Sequence, residues 1–378
     1  MRSLDAARQS CEKYHPGLCE ALADVPLLER EATCSPVIEM FRKFDGVGLL
    51  VPAKFSGSAA SALDAVRVMR GLSSYSPSLG AAVSMHHFTV AMLYSLAASV
   101  DRLTEPQISM LNRVVPDGLL MASGWSEGRT SQNILLPSVT AERDGDDWML
   151  NGSKKPCSLS ASMDLLTASV ALTVDGVTSL ALALVPANTP GISVEPFWAT
   201  SVLAGAESDE IRLDNVRVPD DLVIRTRPED PRRLDDLQTA GFVWFVMLIT
   251  SVYTGAASAL AAQLLEGGKG SVTDRAAVLI AIESAIAQLE GVARAVDDGL
   301  TDDDAVAAVL VARYAVQTAL ASATDLGVEL LGGMAFMRAP DIAYLSSALR
   351  ALAFHPPSRS SASAPLLDYF GGATLQLS

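Results

Sequence analysis

Apolar residues recur every three or four positions in two long parts of the chain, before residue 118 and after residue 235. This spacing places them on one face of a helix and predicts helical structure in both parts. The predicted helices with clear limits cover 59–73, 79–98, 101–115, 237–265, 273–298, 302–331 and 340–354. The last four are long and rich in alanine, a pattern typical of an antiparallel helical bundle.

Between these parts, hydrophobic and polar residues alternate one by one, which is typical of half-buried strands. Strands are predicted over 119–123, 138–143, 148–152, 166–174, 177–185 and 210–213. Gly145 and Gly176 each stand at a reversal and supply the positive φ that a tight hairpin needs. The pattern therefore predicts a mainly α chain with a central β domain. A Pro-Asp-Gly turn at 116–118 and a polar, proline-bearing linker at 226–235 divide it into domains 1–118, 119–225 and 226–378.

Composition narrows the class of protein. Hydrophobic residues make up 49% of the chain and charged residues 19%, which suits a large core and a buried oligomer interface. The net charge of −15 argues against nucleic acid and anionic membranes as partners. The four cysteines form no C-x-x-C pair, so neither a metal site nor a disulfide framework is expected, and a cytoplasmic location is the default. The most apolar run, 240–253, is shorter than the ~20 residues that cross a bilayer, so we expect a buried helix and no membrane span.

The polar segment after the first strand resembles a signature of the acyl-CoA dehydrogenase family. Residues 126–133 align without a gap with that family's Thr-Glu-Pro-Gly-Ala-Gly-Ser-Asp loop. Residues 141–146 and 151–154 then fall into register with its Ala-Glu-x-x-Gly-Asp hairpin and its Asn-Gly-x-Lys segment. The resemblance spans nearly the whole chain. It implies an N-terminal helical domain, a middle β-barrel domain and a C-terminal four-helix bundle, assembled as a homodimer or homotetramer.

The resemblance also implies FAD as the cofactor. Trp125 and Ser126 align with family residues that contact the pyrimidine ring of the flavin. Ser158 aligns with a threonine whose hydroxyl forms a hydrogen bond with flavin N5. Ser131 is the candidate for a pyrophosphate contact, although the family's serine aligns with Gln132. For Trp125 a core aromatic, and for Ser158 an ordinary strand serine, are the structural alternatives.

In the family, two further segments contact the diphosphate and adenine side of FAD. Gly332 and Gly333 fit a close approach of the backbone to the adenine side, or else a plain helix C-cap. The family's Arg-x-x-Phe-Gly loop, which reaches the cofactor of a neighbouring subunit, is replaced by 266–275. There, Lys269 and Arg275 could substitute for the arginine.

The catalytic base of the family is a carboxylate that removes the α-proton of an acyl thioester while flavin N5 accepts the β-hydride. Its two usual positions are occupied here by Pro356 and Phe245, and neither can take a proton. His355 stands in the same loop and resembles the active-site histidine of the dibenzothiophene monooxygenase branch, which assists oxygen chemistry beside the flavin. An imidazole can act as acid or base at neutral pH, so His355 is the candidate catalytic residue. A histidine at a helix end without catalytic work is the alternative.

These observations leave three functions open. The primary prediction is flavin-dependent oxidation of a small-molecule acyl thioester, on coenzyme A or a carrier protein, with a non-standard base and an electron-transfer partner. The second is a monooxygenase that uses O₂ and reduced flavin from a flavin reductase. The third is a member without redox chemistry, which catalyses a proton-transfer rearrangement or serves as a binding subunit.

Overall fold

The computed structural model describes residues 1–128, 137–226 and 234–377. Ser131, with the pyrophosphate contact predicted for it, lies outside the described residues. The first part of the chain is helical, with α1 (Arg2–Tyr14), α2 (Leu18–Ala23), α3 (Leu27–Arg30), α4 (Val37–Lys43), α5 (Ala62–Ser73), α6 (Pro77–Leu96) and α7 (Glu105–Asn112). The last of these begins later than predicted, because Thr104 and Gln107 form a capping box there.

Helix α6 is buried along nearly its whole length and packs against α5 and the middle domain. His86 of α6 uses both ring nitrogens. The Met121 N–H donates to its Nδ1 (3.1 Å), so the ring hydrogen is on Nε2, which donates to the Val47 carbonyl (3.0 Å). The neighbouring His87 is equally buried, but within the described part of the chain neither of its ring nitrogens has a hydrogen-bond partner.

The middle part forms one mixed sheet from β1 (Met121–Gly124), β2 (Thr140–Asp144), β3 (Asp147–Cys157), β4 (Leu165–Val174), β5 (Val177–Pro186), β6 (Ile192–Glu195), β7 (Asp209–Pro219) and β8 (Val223–Arg225). The strand order is β6-β7-β3-β2-β4-β5-β8, and β1 pairs in parallel with β4. Gly145 and Gly176 stand at the two predicted reversals with φ of 63° and 77°. The predicted central β domain between two helical parts is confirmed, whereas β6 and β8 had not been predicted.

The last part is helical again, with α8 (Asp236–Gly267), α9 (Val272–Asp297), α10 (Asp302–Leu331), α11 (Gly333–Arg338), α12 (Pro340–Ala348) and α13 (Arg359–Phe370). The three long helices pack on one another, and α8 also packs on α5 and α6. The helix predicted over 340–354 ends at Ala348 and continues as the 3-10 turn Leu349–Phe354.

Three helices in the described ranges, α8, α9 and α10, are long and apolar enough to cross a membrane by length and composition. Helix α8 has 32 residues, close to the predicted 237–265, and is longer than the apolar run 240–253 on which the expectation of no membrane span rested. In α8, 83% of the most apolar window is buried inside the protein, because α5, α6, α9 and α10 surround it. The corresponding shares are 33% in α9 and 50% in α10, so these two helices carry apolar side chains on the surface.

Candidate active site

His355 lies directly after the 3-10 turn and is partly buried. Its Nε2 is 2.7 Å from the hydroxyl oxygen of Tyr253, in the middle of α8. The ring centroid of Phe245 is 6.0 Å from that of His355, and Phe88 of α6 packs on Phe245 at 5.4 Å. Together with Arg313, described next, these residues are called the His355 cluster.

Arg313 of α10 holds the loop that carries His355. Its guanidinium donates to the carbonyl oxygens of Leu352 (3.3 Å), Pro356 (2.9 Å) and His355 itself. The side chain is fully buried, and none of the described carboxylates forms an ion pair with it. Among the described residues, this positive charge is therefore balanced by carbonyl dipoles and by the Tyr314 ring, whose centroid is 5.4 Å from the guanidinium carbon, and not by a carboxylate.

Burial and the charge of Arg313 together lower the pKa of His355 to about 3, because both disfavour the protonated ring. Burial raises the pKa of Tyr253 above its ordinary value, and Arg313 opposes that shift only in part. Imidazole and phenol are therefore both neutral near pH 7. With the phenol as donor, His355 Nε2 accepts and the ring hydrogen lies on Nδ1.

The two positions at which the family usually carries its base both belong to this region. Phe245 faces the imidazole, and Pro356 follows it in the chain and accepts from Arg313. Neither side chain can accept a proton. The titratable groups that the structure brings together here are an imidazole and a phenol instead of a carboxylate.

Trp125 and Ser126 follow β1, and Ser158 follows β3, which packs beside β1 and whose last residue, Cys157, contacts the Ser123 carbonyl. The Lys155 N–H donates to the Ser126 carbonyl (2.8 Å), and Ser158 follows the last residue of β3. The hydroxyl oxygens of Ser158 and Ser208 are 2.9 Å apart. The indole N–H of Trp125 is buried without a hydrogen-bond partner among the described residues. An unpaired donor and a hydroxyl at one strand edge fit the polar edge of a flavin.

Gly332 and Gly333 lie at the junction of α10 and α11. Gly332 has a φ of 85°, a conformation that favours glycine. A side-chain carbon added to either glycine would meet no atom within 4 Å, so the space beside both is open. Lys269 Nζ donates to the Leu331 carbonyl (3.1 Å), which brings the α8–α9 loop alongside. The two segments predicted to meet the dinucleotide are therefore neighbours.

The sequence analysis missed a buried ion pair near Ser126. Lys154 Nζ lies 2.6 Å from the Glu127 carboxylate and 3.0 Å from the Ser169 hydroxyl, and both charged residues are buried. The carboxylate also accepts from the N–H and hydroxyl of Ser138 and from the Val139 N–H. Glu127, Ser138, Lys154 and Ser169 are called the Glu127 cluster.

The two charges of this cluster cancel at neutral pH. Burial acts to raise the pKa of Glu127, but the hydrogen bonds and charge of Lys154, with Ser138, outweigh it and lower the pKa to about 2. Burial lowers the pKa of Lys154 to about 8, against the opposing effect of Glu127. Both side chains are therefore charged at pH 7. The pair ties residue 127 to residues 138–139 next to the candidate flavin contacts.

Comparisons with known proteins agree with this architecture. Residues 122–216 match the family model for the acyl-CoA dehydrogenase middle domain. The isobutylamine N-hydroxylase of Streptomyces viridifaciens is 59% identical over 378 residues, which is 100% of both chains.

Two solved structures share the fold over nearly the full length. The nitrososynthase from Micromonospora carbonacea var. africana superposes with a TM-score of 0.80 at 19% identity, over 97% of this chain and 96% of that one. TdsC from Paenibacillus sp. A11-2, a dibenzothiophene monooxygenase, in complex with FMN and indole, superposes with a TM-score of 0.78 at 16% identity, over 100% and 99%. The chain therefore belongs to the acyl-CoA dehydrogenase family, in which it is a flavin-dependent oxidising enzyme.

Proposed function

We propose that this enzyme is a flavin-dependent monooxygenase that hydroxylates the nitrogen of a small primary alkylamine. The observation that carries the proposal is the His355 cluster, in which a neutral imidazole and a phenol replace the carboxylate that thioester dehydrogenation needs. Full-length identity of 59% with an isobutylamine N-hydroxylase supports an alkylamine as substrate. The proposal places the monooxygenase, the second function predicted from the sequence, ahead of acyl-thioester oxidation.

The overall reaction consumes the amine, O₂ and reduced flavin, and gives the hydroxylamine, water and oxidised flavin. The bound flavin supplies two electrons to O₂. One oxygen atom is inserted into an N–H bond of the amine to give N–O–H, and the other oxygen atom leaves as water. In this scheme His355 offers its Nδ1 hydrogen to the reacting oxygen, and Tyr253 fixes the ring through Nε2. Phe88 and Phe245 form an apolar wall that excludes water.

We propose FAD as the flavin, with Trp125, Ser126 and Ser158 at the ring system and Gly332 and Gly333 beside the dinucleotide. The open space at both glycines supports this assignment. Because the reaction consumes reduced flavin, a cytoplasmic flavin reductase is the partner that the enzyme requires.

Incubation with a flavin reductase, NADH, FAD and isobutylamine tests the function directly. We expect O₂-dependent formation of the hydroxylamine, detected by mass spectrometry, and none with the reductase alone. In a parallel anaerobic arm, acyl thioesters on coenzyme A or a carrier protein are mixed with the oxidised holoenzyme. If a thioester bleaches the flavin and the first arm yields no hydroxylamine, the function is thioester oxidation and not N-hydroxylation. A protein that binds neither oxidised nor reduced flavin, and forms no hydroxylamine when the reductase is present, would exclude both redox functions.

We also propose a homodimer or homotetramer formed through the C-terminal helices. The support is the apolar surface of α9, where Ile280 is 65% exposed and Val272 is 75% exposed. Light scattering at micromolar concentration should give twice or four times the mass of one chain. A monomer would contradict this assembly.

A further inference from the structure

The His355 cluster holds a buried cation, and this bears on the form in which an amine can bind there. The guanidinium of Arg313 lies against the backbone of residues 352–356 and directly contacts the His355 carbonyl. Carbonyl oxygens accept from its two terminal nitrogens, whereas its Nε has no hydrogen-bond partner among the described residues. These carbonyl dipoles carry no net charge. A positive charge in a poorly solvated site acts over several ångströms.

The other groups that face His355 leave this charge uncompensated. From α8 come Tyr253, whose phenol is neutral, and the ring of Phe245; from α10 comes Arg313 itself. Phe88 of α6 follows behind Phe245. The described residues thus place aromatic rings and a guanidinium around the imidazole, without a carboxylate that could receive an ammonium group.

Two effects on a bound ammonium oppose each other here. An aromatic face attracts a cation, by about thirtyfold in affinity for one ring at a desolvated site. Two unit charges about 6 Å apart repel each other, by about a hundredfold in affinity at an effective dielectric constant of ~20. The repulsion exceeds the attraction of one ring, and the cost of removing an ammonium group from water adds to the repulsion.

We propose, on the basis of the function proposed above, that the His355 cluster admits its alkylamine only as the uncharged free base, because Arg313 excludes the ammonium form. The free base also has the nitrogen lone pair that forms the new N–O bond, so the form that binds is the form that reacts. Arg313 acts as a positioning and selectivity residue, since its hydrogen bonds go to the loop and not to the substrate.

The test uses the wild-type holoenzyme with excess reductase and two primary amines of similar shape, isobutylamine and a fluorinated analogue of lower basicity. The free-base fraction of an amine rises about tenfold per pH unit below its pKa. We therefore expect the KM for isobutylamine, expressed as total amine, to fall about tenfold per pH unit while kcat changes little. The fluorinated amine should have the lower KM at any given pH and should reach its plateau at a lower pH.

Arg313→Met and Arg313→Lys form the matched pair of variants. The methionine removes the charge, so the ammonium form is no longer excluded and the dependence of KM on pH should become shallow. The lysine keeps the charge and should keep the steep dependence, even if its weaker grip on the loop lowers kcat. Flavin content and melting temperature are measured for both. If the methionine variant does not fold, the wild-type comparison of the two amines decides alone.

The outcomes separate this inference from the function on which it rests. Hydroxylamine formation with a KM that is independent of pH and of amine basicity overturns the free-base proposal and leaves N-hydroxylation standing. No hydroxylamine from either amine at any pH, with flavin bound and reduced, overturns both.

Discussion

Two of the cations buried in the described part of the chain, Lys154 and Arg313, have different surroundings. Lys154 is paired with a carboxylate 2.6 Å away inside the sheet domain, so its site carries no net charge. Arg313 donates to carbonyl oxygens, forms no ion pair with a described carboxylate and keeps its charge beside His355. A buried charge that is paired mainly ties parts of the chain together, whereas an unpaired one changes the properties of the groups around it. We therefore interpret the Glu127 cluster as a structural support, whereas the proposed function makes the His355 cluster the chemical site.

The largest effect should come from the chemical site. We expect His355→Ala to lower turnover by about 10²–10⁴-fold, the usual contribution of general acid–base assistance, with little change in melting temperature or flavin content. His86→Ala is the matched control, since it removes an imidazole whose ring nitrogens are both used by backbone groups. It should destabilise the fold but keep turnover per folded, flavin-loaded molecule. Near wild-type turnover of His355→Ala would make the imidazole structural.

Substitutions in the Glu127 cluster should instead lower stability. Removing one partner of a buried ion pair leaves the other charge buried and uncompensated. Lys154→Met or Glu127→Gln should therefore each lower the free energy of unfolding by ~3–5 kcal/mol. The double variant should lose clearly less than the sum of the two, because no charge is left alone. Urea denaturation of all four proteins measures this coupling. Additive losses would show that the pair does not act as a unit.

As the pH falls, buried histidines in the helical parts should lower the free energy of unfolding before the Glu127 cluster contributes any loss. Burial lowers the pKa of His15 and of His86 to about 4, and that of His87 well below its ordinary value, whereas unfolded histidines titrate near ~6.5. The unfolded chain therefore binds more protons below pH ~6.5. Stability should fall by about 1.4 kcal/mol per pH unit for each histidine as the pH drops from there towards 4.

Thermal melts across this pH range measure the slope. His87→Leu should flatten it, because that imidazole makes no hydrogen bond within the described part of the chain. The Glu127 carboxyl, with a pKa of about 2, stays charged throughout and should add no loss until the pH falls below about 4.3, where the unfolded carboxyl takes up its proton. An unchanged slope in His87→Leu would remove this histidine from the explanation.

The smallest effect concerns Ser158. Ser158→Ala and Ser208→Ala each remove one partner of the same hydroxyl–hydroxyl contact, at a similar cost of about 1 kcal/mol. Only the first also removes the hydroxyl predicted to bond flavin N5. We expect Ser158→Ala to shift the flavin absorption band or its rate of reduction, and Ser208→Ala to leave both nearly unchanged. Identical spectra in both variants would argue against the N5 contact.

Periodicity and turn residues predicted most of the fold. The limits of α10, at Asp302 and Leu331, and the hairpin turns at Gly145 and Gly176 agree with the sequence pattern. Strands β6 and β8 were missed because four and three residues are too few to show alternation. The helix at 340–354 was drawn too long because Leu349 and Leu352, three residues apart, share a face in a 3-10 turn as they do in an α-helix.

From the sequence, a site residue could be predicted only where its own position in the chain matched a family position. His355 stood out by its place in the chain, but Tyr253 lies in an apolar run and reads as a core aromatic. The two residues are 102 positions apart, and only the packing of the 3-10 turn on α8 brings them together. Glu127 and Lys154 both stood inside the matched motifs, yet isolated charges in a sequence are most often solvated, so their pairing required the structure.

The His86 hydrogen bond to Met121 has a consequence for amide exchange. The Met121 N–H begins β1 and donates to a buried ring on α6 rather than to a neighbouring strand. Its deuterium uptake therefore requires α6 and the sheet to separate, even if the sheet itself stays intact. The exchange rate of this one amide should report how often the helical part detaches from the sheet in the native protein.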